Sequence, residues 1–497
     1  MVADIPIPFP LLGVDKAAGY QRQPPFSCVD ASNVYVYDKA EGRARGGSRP
    51  PLGTYGSPGA SCKWAGQFNY STGSAYERRL VALTGSTVQY RTHGGSWTGG
   101  GSVTISSTQG SASVMLNKLY ICQAGAEIAE WTPNSTIDTS LTPTAGLIPS
   151  GNLIAATHQD RLYLSGNPGA PNEIVASAQG DPLDWDYGLD NLGSAIQFSA
   201  YHNGQISEPV TALVPITRDC MLISCTDSMW VLRGNPTAGD SQLVQIAYNV
   251  GLISQHSWCY TPTGIAFLTR GGLYGMPYGC GTPPTPIGEE RLPVSLIGYD
   301  VGDTIAMAYD RVHKCIGIYI NPATGSDANW WYDTKHGGFW PMSLPAAAQP
   351  TCAATFSAAS GDTEGDAILF GSGGAYQFDR AGTSDYDGGS GTAVTARVDI
   401  GAIRLTDTVD QKAMIKGFRI LESADAAASY TATLYVGNDA EEAAAKTGDS
   451  KAITTARPGV RHHPRLRGHA AVLSLQGTSA WMFEEASLTV TSKGRMR

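Results

Sequence analysis

Along most of the chain apolar and polar residues alternate in short runs, break at a Gly-, Asn- or Asp-bearing turn, and resume. A period of two marks strands with one buried face. Seven stretches repeat one motif: "ERRLVALTGSTVQY" from Glu77, "NKLYICQAGAEIAEW" from Asn117, "DRLYLSGN" with "NEIVAS" from Asp160, "DCMLISCTDSMWVL" from Asp219, "GIAFLTRGGLYGM" from Gly264, "KCIGIYI" with "NWWYD" from Lys314, and "DAILFGSGGAYQFD" from Asp366. Each sets an apolar strand, a short turn and a second strand ending in an aromatic or large apolar residue. Their starts are 40, 43, 59, 45, 50 and 52 residues apart.

That spacing is the period of four-stranded propeller blades, roughly 40–50 residues. One such sheet leaves both faces bare, and stacking sheets around an axis covers them. The pattern therefore predicts an all-β chain: a β-propeller over 61–382, of six to eight blades with seven units counted, an extended N-terminal segment, and a C-terminal β-sandwich. A series of two-sheet sandwiches is the competing arrangement. The proline-rich lead 1–60 carries one strand-like run, "SNVYVYD", and reads as extended chain lying across the propeller or a neighbouring subunit. "TSDYDGGSGT", within 383–392, reads as a linker. Alternating runs over 393–497 predict the sandwich, with a short helix in the insertion "DAEEAAAKTGD".

Composition agrees with many strands and turns: 59 Gly, 29 Pro and only 15% charged residues. A net charge of −9 means that the molecule as a whole is not a generic nucleic-acid binder, while the distribution of its charge still matters. The nine cysteines are odd in number and form no paired CxxC motif, which argues against a zinc ribbon and for scattered buried thiols in a reducing cytoplasm. No apolar run reaches the ~18 residues of a membrane span, and the start lacks the basic, then apolar, pattern of a secretory signal.

The chemical candidates are few. "AQGDPLDWDYGLD" clusters Asp181, Asp184, Trp185 and Asp186, but in neither an EF-hand register nor the order of a sialidase Asp-box. It reads as a blade turn, structural or lying at an interface, with a metal site or a glycan or catalytic role as the alternatives. Carboxylates such as Glu173, Asp227, Glu289, Glu290 and Asp310 offer no recognisable acid/base pair, and there is no nucleophile elbow or HExxH. The rings of "NWWYDTKHGGFW" read as hairpin core, or, if exposed, as a sugar platform. Three basic patches stand out against the acidic whole: Arg43, Arg45 and Arg49; Arg461, His462, His463, Arg465 and Arg467; and Lys493, Arg495 and Arg497. They are solvated loops or contacts to phosphate or to an acidic partner. No catalytic, cofactor or metal residue is assigned.

Three regions carry a family resemblance. "FPLLGVDKAAGYQRQPPFSCVDASNVYVYDKAEGRARGGSRP", "ATHQDRLYLSG" with "NEIVASAQGDPLDWDYG", and "SLTVTSKGRMR" together resemble the tail nozzle, or tail tubular protein B, of short-tailed bacteriophages. The resemblance implies a virion protein made in the host cytoplasm. It implies a homohexameric ring below the portal and adaptor, with tail fibres or spikes as further neighbours. Double-stranded DNA would pass through the ring without sequence recognition, and no catalysis or cofactor is implied. An acidic molecule with few cationic loops suits passage rather than grip. The alternative is a carbohydrate-binding or glycan-cleaving propeller for host-receptor recognition.

Overall fold

The computed structural model of the chain describes residues 2–36, 46–71, 73, 76–92, 94–105, 109–188, 191–201, 205–238, 241–279, 281–357, 365–378, 384–387, 390–407, 411–422, 430–454 and 461–495. Each of the seven hairpins read from the sequence forms two adjacent strands of its own antiparallel sheet. In every sheet a further strand precedes the hairpin, beginning at Cys62, Ala112, Ile154, Val210, Trp258, Thr304 and Cys352 in turn. Six of the sheets have four strands; the second, Ala112–Met115, Lys118–Ile121 and Ala129–Trp131, has three.

The sheets close into a ring because apolar clusters fill every seam between neighbours. Phe68 and Val81 of the first sheet pack with Leu119 and Trp131 of the second. Tyr163 and Ile174 of the third pack with Leu213 and Ile223 of the fourth. At the closing seam Cys62, Leu80 and Ala82 of the first meet Cys352, Phe356 and Phe370 of the seventh. The axis is lined by one first strand from each sheet, through Trp64, Val114, Ala156, Leu213, Trp258, Met307 and Ala353. This is a seven-bladed β-propeller.

Two further sheets make the sandwich. One holds Met482–Arg495, Gln411–Glu422 and the short strands Arg461–His462 and Arg467–Gly468; the other holds Ala396–Arg404, Ala470–Gly477, Thr431–Gly437 and Asp449–Thr454. Ile415, Phe418 and Leu488 from the first face Val398, Leu434 and Leu473 from the second in one core. The predicted helix is present at Ala440–Ala444, capped by Asp439, whose side chain accepts from the Glu442 N–H at 2.7 Å.

The lead lies across the propeller and the sandwich of its own chain: among the described residues, four of its five strands pair with distant parts of that chain. Val2–Pro8 runs antiparallel to residues 485–491, and Cys28–Ser32 pairs with Ala396–Arg404. Gly46–Ser48 pairs both with Val34–Val36 and with the start of Met482–Arg495, and Leu52–Thr54 supplies the fourth strand of the seventh blade. Unpaired strand edges are costly, and here the chain's own edges satisfy the lead's backbone. The linker-like run departs from its expectation: Asp385–Asp387 pairs with Ser390–Thr392 in a small hairpin. The apolar ring cluster follows its core reading. Trp331 and Trp340 are 1% exposed and join the propeller to the lead, Trp340 stacking on Phe9 at 5.6 Å and Trp331 meeting Tyr35 edge-on at 5.1 Å.

Candidate functional site

The turn around Trp185 is built by its carboxylates. Asp181 Oδ1 accepts from the Leu183 N–H, Asp184 Oδ1 from the Asp186 N–H and Asp186 Oδ1 from the Gly188 N–H, at 2.9–3.0 Å. Each acid thus closes its own Asx turn. The Trp185 indole is 1% exposed, packed between the second and third blades with Leu162 and Leu164. Beneath it the buried Arg161 guanidinium donates to the Ser177, Ser194 and Leu192 carbonyls at 2.9, 2.5 and 3.0 Å. The interface assigned to this turn on sequence is therefore replaced, for Trp185, by core packing. No group of three metal-type ligands occurs among the described residues.

Arg49 also leaves the list of contact candidates. Its guanidinium is buried on Asp385, with Nη1–Oδ1 at 2.8 Å and Nη2–Oδ2 at 2.5 Å, so it has no face to offer a partner. Arg43, Arg45 and Arg497 lie outside the described residues, and Lys493 and Arg495 are described only as backbone of the strand Met482–Arg495.

The patch from Arg461 to Arg467 does gather into a surface. The segment runs extended beside Gln411–Glu422, and its exposure alternates: Arg461, His463, Arg465 and Arg467 face solvent, while His462, Pro464 and Leu466 are half-buried. Two backbone anchors fix it, the Ile415 N–H donating to the Leu466 carbonyl at 2.9 Å and His463 Nδ1 donating to the Lys416 carbonyl at 2.7 Å. Register sets Arg461 directly opposite Arg419 and Arg467 opposite Met414, hence on one face. Lys416 and Arg419 are exposed on that face and Lys412 half-exposed, cations that their scattered positions in sequence did not mark as one group. Gly417 makes room: a Cβ there would lie 2.5 Å from Arg461 Nε, so the guanidinium lies over bare backbone, and its Nη2 donates to Thr489 Oγ1 at 3.0 Å. No ion pair joins any of these cations to an acid among the described residues.

A second candidate is the axial cavity. It opens to about 770 Å³ where the first strands end, lined by Trp64, Gln67, Trp258, Tyr260, Tyr309 and Arg311 among others, with no carboxylate in the lining. Tyr260 meets the Trp258 face edge-on at 4.8 Å and donates to the Pro215 carbonyl. Towards the other end His256 donates through Nε2 to the Gly110 carbonyl at 2.6 Å, and burial lowers its pKa. Three of the carboxylates weighed for catalysis make other contacts: Asp310 holds His313 at 2.6 Å, Glu173 accepts from the Ser199 N–H, and Asp227 pairs with Arg270. A glycosidase needs two carboxylates across one cleft, and the described residues lining this cavity include none.

No family model and no curated protein matches the chain. Solved structures do. The WD40 β-propeller domain of Doa1 is 9% identical over 66% of this chain and 95% of its own, with a TM-score of 0.39. The RRP9 WD40 repeats give a TM-score of 0.37 at 9% identity, over 65% of this chain and 92% of theirs. PorZ of Porphyromonas gingivalis, a component of the type-IX secretion system, gives 0.36 at 10% identity, over 72% of this chain and 43% of its own. At such identities the likeness concerns architecture alone.

Proposed function

We propose that this chain is a structural virion protein, one subunit of a sixfold tail nozzle ring. The ring joins the portal and adaptor to the distal tail and forms the channel through which DNA is ejected. The family resemblance names the ring. The single structural observation that supports it is the fusion of two β-domains by the lead, which completes both the sandwich and the seventh blade. A building block whose domains share strands transmits load without a hinge at their junction. The test is quantitative mass spectrometry of purified particles. Incorporation at half the copy number of a twelvefold portal supports the proposal; absence from particles sinks it.

The aromatic mouth of the axial cavity favours a second reading, a carbohydrate-binding propeller that recognises a host receptor. Rings such as Trp258 and Tyr260 offer flat faces to sugars. A glycan array probed with the isolated chain separates the two, since a conduit subunit gives no saturable glycan signal.

A further inference from the structure

From the geometry of the sandwich edge we infer that it is a docking surface for the phosphate backbone of duplex DNA, and so the face of the subunit turned towards the passing genome. The inference rests on the proposed conduit for its choice of polyanion, and on the edge itself for the rest.

Lys412, Lys416, Arg419, Arg461, Arg465 and Arg467 share one surface, joined by His463, in a protein whose net charge is −9. Arg419 and Arg461 stand directly opposite one another across neighbouring strands. Such like-charge pairs are destabilising, and no acid offsets this one among the described residues. The outward neighbours on Met482–Arg495 are neutral: Ser487 opposite Arg419, Thr489 opposite Gly417, Thr491 opposite Met414. The nearest acid in register is Glu485, opposite Leu421 and diagonal to Arg419, and it makes no ion pair with these cations among the described residues. A bound polyanion relieves the repulsion by replacing condensed counterions.

The form of the surface selects the partner. Arg461 and Arg467 stand on two short strand segments of one edge with Arg465, at φ +56°, exposed between them, so the guanidiniums form one irregular strip, which suits a continuous phosphate backbone. Most are arginines, whose planar forks grip phosphate oxygens in pairs. No Phe, Tyr or Trp lies among residues 461–467, so the large-ring stacking platform typical of single-strand binders is not built there. Nothing on the edge enters a groove to read bases, so contact is to the backbone and indifferent to sequence.

The experiment is fluorescence anisotropy of a mixed-sequence DNA duplex titrated with the purified full-length chain across a salt series. The wild type is expected to bind at low salt, with log affinity falling linearly against log salt. Arg461→Ser/Arg465→Ser/Arg467→Ser is expected to weaken binding more than about tenfold and lower that slope by about 3, near 0.9 per lost phosphate contact. Arg461→Lys/Arg465→Lys/Arg467→Lys keeps the slope, separating charge loss from misfolding. Removing three propeller charges, Arg218→Ser/Lys314→Ser/Lys335→Ser, leaves binding unchanged. Equal loss in the edge and propeller variants overturns the inference, as does a wild type that ignores duplex. Tighter binding of an acidic polypeptide than of duplex overturns the choice of occupant. Duplex binding by a chain absent from virions would sink the nozzle reading and leave the cationic edge standing; incorporation without binding does the reverse.

Discussion

Arg49 and Asp385, 336 residues apart in the chain, meet as a two-toothed ion pair inside the junction of propeller and sandwich. Arg49 Nε also donates to Asn33 Oδ1 at 2.9 Å and Nη2 to the Ser343 carbonyl at 3.0 Å, while the Leu52 N–H donates to Asp385 Oδ1 at 2.8 Å. One node thus holds the lead, the end of the sixth blade and the small hairpin after the seventh. Removing one partner strands a buried charge. Arg49→Ala or Asp385→Ala is expected to lose about 3–5 kcal/mol, read by urea unfolding. The apolar pair Arg49→Met/Asp385→Leu should lose less than either single change. A double variant as unstable as the sum of the singles would show that the pair does not act as a unit.

The acid sensitivity of the fold has identifiable sources. Burial lowers the pKa of His158 from 6.5 to about 4 and also lowers that of His256, so both imidazoles are neutral in the folded chain. The unfolded chain takes up these protons below about pH 6.5. Stability contributed by the neutral rings is therefore full above that pH and is lost as pH falls from about 6.5 towards about 4. His158→Gln is expected to flatten the decline by about 1.4 kcal/mol per pH unit, measured by denaturant unfolding at pH 7.5, 6 and 5. An unchanged slope would place the acid sensitivity elsewhere.

Trp185 is held by backbone as well as by carboxylates. Gly146 pairs with it in a parallel bridge at φ +69°, and a Cβ on Gly146 would sit 2.3 Å from the Trp185 carbonyl oxygen. Gly146→Ala is expected to cost at least about 1–3 kcal/mol and to shift Trp185 emission to the red as the indole gains water. Asp184→Ala, which removes one hydrogen bond, should cost about 1 kcal/mol and leave emission nearly unchanged.

How far all this was legible depends on how local the information is. The seven hairpins were readable because alternation and turn residues lie within a few positions of each other. The lead's strand pairings were not readable because their partners do not: Val2 pairs with Thr491 and Leu52 with Phe378. "GRARGGSR" has the composition of a solvated basic loop and "TSDYDGGSGT" that of a linker, yet Arg49 and Asp385 within them are buried on each other. Likewise the basic run 461–469 was visible as composition. That it alternates, and that Lys416 and Arg419 join its face, becomes visible only through strand register.

The cysteines give a chemical test of burial. Seven are free and buried, and Cys220 departs from the expectation of scattered thiols by being disulfide-bonded. Burial pushes the Cys122, Cys225 and Cys259 thiols up to about 12, and Cys28, Cys315 and Cys352 well above the ordinary range. Cys62 and Cys352 touch across the closing seam at 2.8 Å. Because the thiolate is the reactive species, none of the seven should react rapidly with a chromogenic disulfide at pH 8 in the folded chain, and all should after denaturation. A fast-reacting native thiol would reveal a seam that opens.

The pairing of Val2–Pro8 with residues 485–491 sets a timetable. Val2–Pro8 cannot find its neighbour until residues 485–491 have been made, and the seventh blade cannot be completed until residues 376–378 arrive to receive Leu52–Thr54. Closing loops of that length is entropically slow. Both sheets that weld the molecule together therefore mature last, and a translation product cut short would be left with open sheet edges.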